Sequence, residues 1–168
     1  MAVGLSPVAT ADCKTLVLGS LPGAESLRLQ QYYAHPLNYF WKLMGEVCGF
    51  SPALPYPQRA SALLGQQVAL WDVLASGRRP GSLDSAIDLH TAEINAFDSF
   101  LQGLPALKRI VFNGALAERL FVQRVLPGLS SSQQAIARLR LPSTSPANAS
   151  VSRIDKLSTW RAALDHVR

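Results

Sequence analysis

Three short runs constrain this chain most: Thr15-Leu16-Val17-Leu18, Gln67 to Leu74, and Arg109-Ile110-Val111-Phe112. The first is rich in β-formers and apolar on both faces, which suits a strand covered from both sides, as in a parallel sheet. Each run is cut short by a polar or flexible residue: Gly19 followed by Pro22-Gly23, Trp71-Asp72, and Asn113-Gly114. Between them the apolar period changes to that of helices. From Leu37 to Cys48, Phe40, Trp41, Met44, Val47 and Cys48 recur at helical spacing, with Asn38 placed to cap the start and Gly49 to end it. Ala92 to Leu104 also reads as helix, and another, with Leu116, Leu120 and Phe121 on one side, follows Asn113-Gly114.

The remaining segments read as connectors and a final strand and helix. Pro52, Pro55 and Pro57 predict a connector, and Ser76 to Ser82 a loop. Arg138 to Leu141 alternates polar and apolar residues like an edge strand, before Pro142 to Asn148 interrupts regular structure. Ser152 and Asp155 have capping-box spacing, and Ile154, Leu157, Trp160, Leu164 and Val167 form one apolar stripe. Parallel neighbours need crossover connections, so strands alternating with helices predict a mainly parallel sheet with helices on both faces. Ligands of such folds bind beyond the carboxyl ends of the strands. That rule brings the loops starting at Gly19, Asp72, Asn113 and Pro142 to one rim.

A length of 168 residues suits one domain, residues 1–168, and 48% hydrophobic against 16% charged residues supplies an ordinary buried core. The apolar runs fall far short of the roughly 20 residues that cross a bilayer. No signal-peptide pattern opens the chain, so the expected location is the cytoplasm, on the nucleoid in a bacterium. Two cysteines, Cys13 and Cys48, and three scattered histidines, His35, His90 and His166, suggest neither a disulfide framework nor a metal cage. Charge is uneven. Residues 1–98 carry 6 Lys/Arg against 8 Asp/Glu, and residues 99–168 carry 10 against 3, which points to a polyanionic partner facing the C-terminal part.

The segments at the predicted rim carry the motifs: GSLPG at 19–23, QYYAHPLNYFW at 31–41, WDV at 71–73, GSLDSAI at 81–87, FNG at 112–114 and LPSTSPANA at 141–149. Their order and spacing resemble the uracil-DNA glycosylase superfamily, and within it the deoxyinosine (hypoxanthine) DNA glycosylase branch. The resemblance implies a three-layer α/β/α sandwich around a four-stranded, mainly parallel sheet. It also implies a monomer without cofactor or metal that excises hypoxanthine, sometimes also uracil, from DNA. Related glycosylases orient the attacking water with an Asp or Asn in the first motif, where this chain has Leu21. The branch shares that departure and assigns the water to the position of Asn38. An Asn carboxamide accepts one hydrogen bond from water and donates another, although Asn38 equally suits a helix cap.

By the same resemblance Gly19, Ser20, Leu21, Pro22, Gly23, Tyr33 and Asn113 form the base pocket, and Ser143, Thr144, Ser145, Pro146 and Asn148 grip DNA. A flat Tyr33 ring suits stacking on an extruded base, a contact tolerant of base identity; Tyr32 and Tyr33 also suit the core. Asn113 offers a donor and an acceptor side by side, matching N1–H and O6 of hypoxanthine and rejecting adenine. Uracil presents the same pair. Asn113 also fits a turn with Gly114. Arg138, Arg140, Arg153 and Lys156 flank the 143–148 loop with positive charge. Relatives steady the leaving base with a His in this loop, where this chain has Ser, Thr and Asn.

Other polar residues read as structural. His35 precedes a proline in a tight segment, and Asp72 and Asp84, which would form a carboxylate pair if the rim loops meet, better suit capping or pairing with Arg78 or Arg79. Ser20 lies outside GxSxG, which argues against a serine hydrolase. No strategically placed lysine near Asn38 offers an amine for a Schiff base, so the expected enzyme is monofunctional. Its rivals are a uracil or mismatch glycosylase and a lesion-binding protein without catalysis.

Overall fold

Every residue of Thr15–Gly19 and of Val68–Asp72 is buried, so both runs are strands covered on two sides. The computed structural model describes residues 1–165; Val167 of the expected stripe and His166 lie outside them. In chain order the elements are β1 (Ala2–Val3), β2 (Thr15–Gly19), α1 (Ala24–Leu29), α2 (Phe40–Cys48), α3 (Tyr56–Gly65) and β3 (Val68–Asp72). There follow β4 (Leu74–Arg78), β5 (Asp88–Ile94), α4 (Phe97–Gln102), β6 (Arg109–Asn113), α5 (Ala115–Leu120), α6 (Ser131–Gln134), β7 (Ala137–Leu141) and α7 (Arg153–Leu164). The main sheet has the order β3-β2-β6-β7 and is parallel throughout. β7 lies at its edge, as the alternation of Arg138 to Leu141 predicts.

Residues paired in register share a face of the sheet. Leu18 pairs with Trp71 on one side and Phe112 on the other. There Trp71 packs on Phe97 and Phe100 of α4, and Phe112 on Phe121, which continues α5 as a π-helical turn, Phe121–Val125. Asp72, one residue beyond Trp71, turns to the opposite face, where Tyr33 stacks on Phe40 and Phe40 meets Trp160 of α7. Helices thus cover both faces of the sheet.

Several expectations need correction. The segment read as a loop from Ser76 opens with the last residues of β4, Ser76 to Arg78, and Ala92 to Ile94, read as helix, belongs to β5. Together with β1 they form a second, antiparallel sheet of order β1-β4-β5. Its register shifts between Leu74 and Arg78 interrupt the period on which a strand assignment depends. The proline-rich connector includes α3, because Pro57 lies in its first turn, where a missing amide hydrogen costs nothing. The helix expected from Leu37 starts at Phe40. In α7, Ile154 is 79% exposed while Lys156, Trp160, Ala163 and Leu164 turn inward.

Gly114 joins β6 to α5 at φ +103° and ψ 170°, a region closed to residues with a Cβ. An added Cβ there would also stand 3.1 Å from Cβ of Ser143. Gly114→Ala is therefore expected to cost about 1–3 kcal/mol of stability, read as a lower urea midpoint. An unchanged midpoint would contradict the backbone geometry.

Candidate active site

The carboxyl ends of the four parallel strands open onto one cavity of about 730 Å³. Register alone sets Gly19 beside Asp72 and Asn113 beside Leu141. Every predicted site residue borders this cavity: Gly19, Ser20, Leu21, Pro22, Gly23, Tyr33, Asn38, Asn113, Ser143, Thr144, Ser145, Pro146 and Asn148. Asp72, Arg79, Ser82 and Asp84 border it too, beyond the residues assigned to the base pocket or to DNA.

Asn38 Oδ1 accepts the backbone N–H of Phe40 at 3.0 Å. This bond shapes the turn into α2 and fixes the direction of the carboxamide, leaving a second lone pair on Oδ1. The bond is an Asx turn one residue before the cap, which is Tyr39 and has no side-chain cap hydrogen bond, so Asn38 is not the helix cap expected, although it stands in the cavity wall. Tyr33 has φ +54°, an uncommon left-handed backbone for a bulky residue. Phe40 covers one face of its ring at a centroid distance of 4.0 Å. Tyr32, by contrast, belongs to the core: it is 3% exposed and donates its hydroxyl to the carbonyls of Leu5 and Ser6. His35 accepts the N–H of Leu37 on Nδ1, as a turn residue does.

Asn113 is held by one residue at both ends. Its Oδ1 accepts the N–H of Thr144 at 2.9 Å, and its Nδ2 donates to Thr144 Oγ1 at 2.9 Å. This pair fixes the amide orientation and leaves one N–H and one lone pair for another partner. The carboxamide therefore reaches across to the 143–148 loop. Thr144 also accepts the N–H of Tyr39 on its carbonyl. Further along, Trp160 donates to Pro142 O and Lys156 to Asn148 O, so the loop is preformed from several sides. Lys156, expected to offer charge to a ligand, is instead 5% exposed and braces the backbone.

The GSLPG loop is anchored by the segment after β4. Arg79 donates to Leu21 O and Pro22 O and pairs with Asp84 at 3.6 Å, while Ser20 donates to Asp84 Oδ1 at 2.7 Å. Leu21 is buried, so its side chain is no substitute for a water-binding group. Asp72 differs from Asp84. Among the described residues, its Oδ2 is buried without a hydrogen-bond partner, as is the Tyr33 hydroxyl. Such a group costs about 1–3 kcal/mol when left unsatisfied, and marks a candidate functional position. The signal in the sequence was the acidic residue closing an otherwise apolar strand.

A profile of the Uracil DNA glycosylase superfamily matches residues 7–166. The chain belongs to this superfamily. It is 36% identical to a hypoxanthine DNA glycosylase of Methanosarcina acetivorans, over 97% of this chain and 98% of that protein. A hypoxanthine DNA glycosylase of Methanosarcina barkeri is 41% identical over 66% of this chain and 70% of its own length. A solution NMR structure from Methanosarcina acetivorans, provisionally assigned as a uracil DNA glycosylase, superposes with a TM-score of 0.80 at 34% identity, covering 98% of this chain and 97% of that one. The three-layer fold expected from the motifs is thus the fold of this superfamily, and the reaction class is that of a DNA glycosylase. Among the described residues, no helix is long and apolar enough to cross a membrane.

Burial pushes the Asp72 carboxyl up from its ordinary 3.8 to about 7, with Asp84 adding to the rise and Arg79 opposing it. The folded protein then holds this proton more tightly than the unfolded chain. Stability present at low pH is lost as pH rises from about 4 through 7. Asp72→Asn removes that loss, so its melting temperature is expected to gain on the wild type across this window and to level off above it. Parallel melting curves at all pH values would contradict the burial of an unpaired carboxyl.

Proposed function

We propose that this glycosylase excises deaminated bases from DNA, hypoxanthine first, leaving an abasic site. The observation that carries this reading is the convergence of Asn38, Tyr33, Asn113 and the 143–148 loop on one cavity, in a chain whose full-length relative is named a hypoxanthine DNA glycosylase. The target nucleotide is extruded from the duplex, at lowest cost where pairing is already weakened. Asn38 orients water toward C1′ of the deoxyribose, using the Oδ1 lone pair that Phe40 leaves free. The bond to the base breaks through an oxocarbenium-like state.

Tyr33 lies against the base and Asn113 reads its edge with the N–H and lone pair that Thr144 leaves open. Because Thr144 fixes which end of the amide is which, adenine meets a donor where it offers a donor. Loop amides and backbone N–H groups oppose charge developing on the departing base. Uracil excision is the second reading, since uracil offers Asn113 the same hydrogen-bond pair as hypoxanthine.

Duplexes carrying one deoxyinosine or one deoxyuridine, treated with the protein and then alkali, test both readings. Cleavage at deoxyinosine, faster than at deoxyuridine, is the expected result. Asn38→Ala is expected to slow it about a hundredfold, the scale of a lost positioning contact. Tight binding without base release from either lesion would favour a non-catalytic lesion binder, and full activity of Asn38→Ala would remove the water from that residue. Thr144→Val, which deletes the acceptor on Asn113 Nδ2, is expected to reduce discrimination of deoxyinosine over deoxyadenosine. Unchanged discrimination would detach base reading from the Thr144 clamp.

A further inference from the structure

The reading above leaves the departing purine without an acid, since the side chains of the 143–148 loop offer only hydroxyls and an amide. The floor of the cavity holds one. Gly19 supplies the space: a Cβ on it would fall 2.4 Å from Asp72 Oδ1 and 3.3 Å from the Tyr33 hydroxyl. The absent methyl lets the Asp72 carboxyl and the Tyr33 hydroxyl approach this backbone at the cavity, and among the described residues Asp72 Oδ2 and the Tyr33 oxygen are buried without a hydrogen-bond partner. The backbone beneath is fixed, with Asp72 O accepting Asn95 Nδ2 at 2.8 Å and Val73 donating to Gly19 O.

Among the described residues no cation forms an ion pair with Asp72, and Arg79 acts on it only from a distance. Arg79 is committed to Asp84 and to the carbonyls of Leu21 and Pro22. From the other elements packed around the carboxyl come Tyr32, Tyr33 and Tyr56, all neutral, and the Asp84 charge, which repels a second negative charge. A carboxyl in these surroundings is an acid at neutral pH, able to donate a hydrogen bond.

We propose that Asp72 is the acid of base excision: it hydrogen-bonds a ring nitrogen of the extruded purine and gives up its proton as the bond to C1′ breaks. The inference rests on the excision reading above and adds the missing proton donor. The electron pair of the glycosidic bond moves onto the purine, which takes the Asp72 proton and leaves neutral. The water oxygen bonds to C1′ and sheds one proton to solvent, and the Asp72 carboxylate recovers a proton from solvent. Hypoxanthine has unprotonated ring nitrogens at N3 and N7. Uracil has none, its N1 being glycosidic and its N3 protonated, so the same acid favours a purine.

The test is single-turnover release of hypoxanthine from a deoxyinosine duplex, followed from about pH 5 to 9 for wild type and Asp72→Asn. Wild type is expected to be level at low pH and to fall about tenfold per pH unit above about 7, as the acid is lost. Asp72→Asn is expected to be about a hundredfold slower at pH 6, with no such alkaline limb and DNA affinity close to wild type. A variant with the wild-type rate, or with the same alkaline limb, overturns the acid and leaves excision standing. Should the variant not fold, the wild-type profile decides, and a rate flat through pH 9 overturns the proposal. If wild type releases no base at any pH, the excision reading fails and takes the acid with it.

Discussion

The parallel alignment of β2, β3, β6 and β7 is the constraint on which the rest depends. Strands that run the same way end at the same rim, and a shared register decides which end residues become neighbours. Gly19 meets Asp72 and Asn113 meets Leu141 for this reason. Residues 53 positions apart in the first pair and 28 in the second are thereby fixed by backbone hydrogen bonds, before any side chain contributes. The aromatic layers on the two faces then hold that rim against a low-dielectric interior, where a polar group without a partner has chemical consequences.

The second sheet gives the cavity a wall that the main sheet cannot provide. β4 starts two residues after β3 ends, turning the chain back over the rim, and the segment behind it delivers Arg79, Ser82 and Asp84 to the GSLPG loop. Arg79 and Asp84 satisfy the carbonyls and hydroxyl of that loop. The same pairing withholds a counter-charge from Asp72, so the two aspartates of one cavity have opposite surroundings.

Much of this was legible in the residues. Fully apolar strands ended by polar residues announced the parallel sheet and its rim, and Gly49 announced the end of α2. The edge strand β7 was legible from its alternation, but β4 and β5 were not. In β4 and β5 bulges break the alternation, and a strand of exposed, polar residues carries little hydrophobic signal. Pro57 looked like a breaker because sequence alone does not say whether a proline stands in a helix's first turn or its interior. The membership of Asn38, Tyr33 and Asn113 in one site was readable from ordered motifs, whereas the isolation of Asp72 was not. Isolation is a property of what surrounds a group, and its surroundings come from five separate segments.

Thr144 joins the two sides of the cavity with three atoms: its amide and hydroxyl hold Asn113, and its carbonyl holds the amide of Tyr39. The residue after Asn38 and the end of β6 are thus tied to a single turn of backbone. Mechanically, the loop behaves as a lever with a short arm. A load applied anywhere along it is shared between the edge of the sheet and the first turn of α2, so the two halves of the cavity tend to be displaced together.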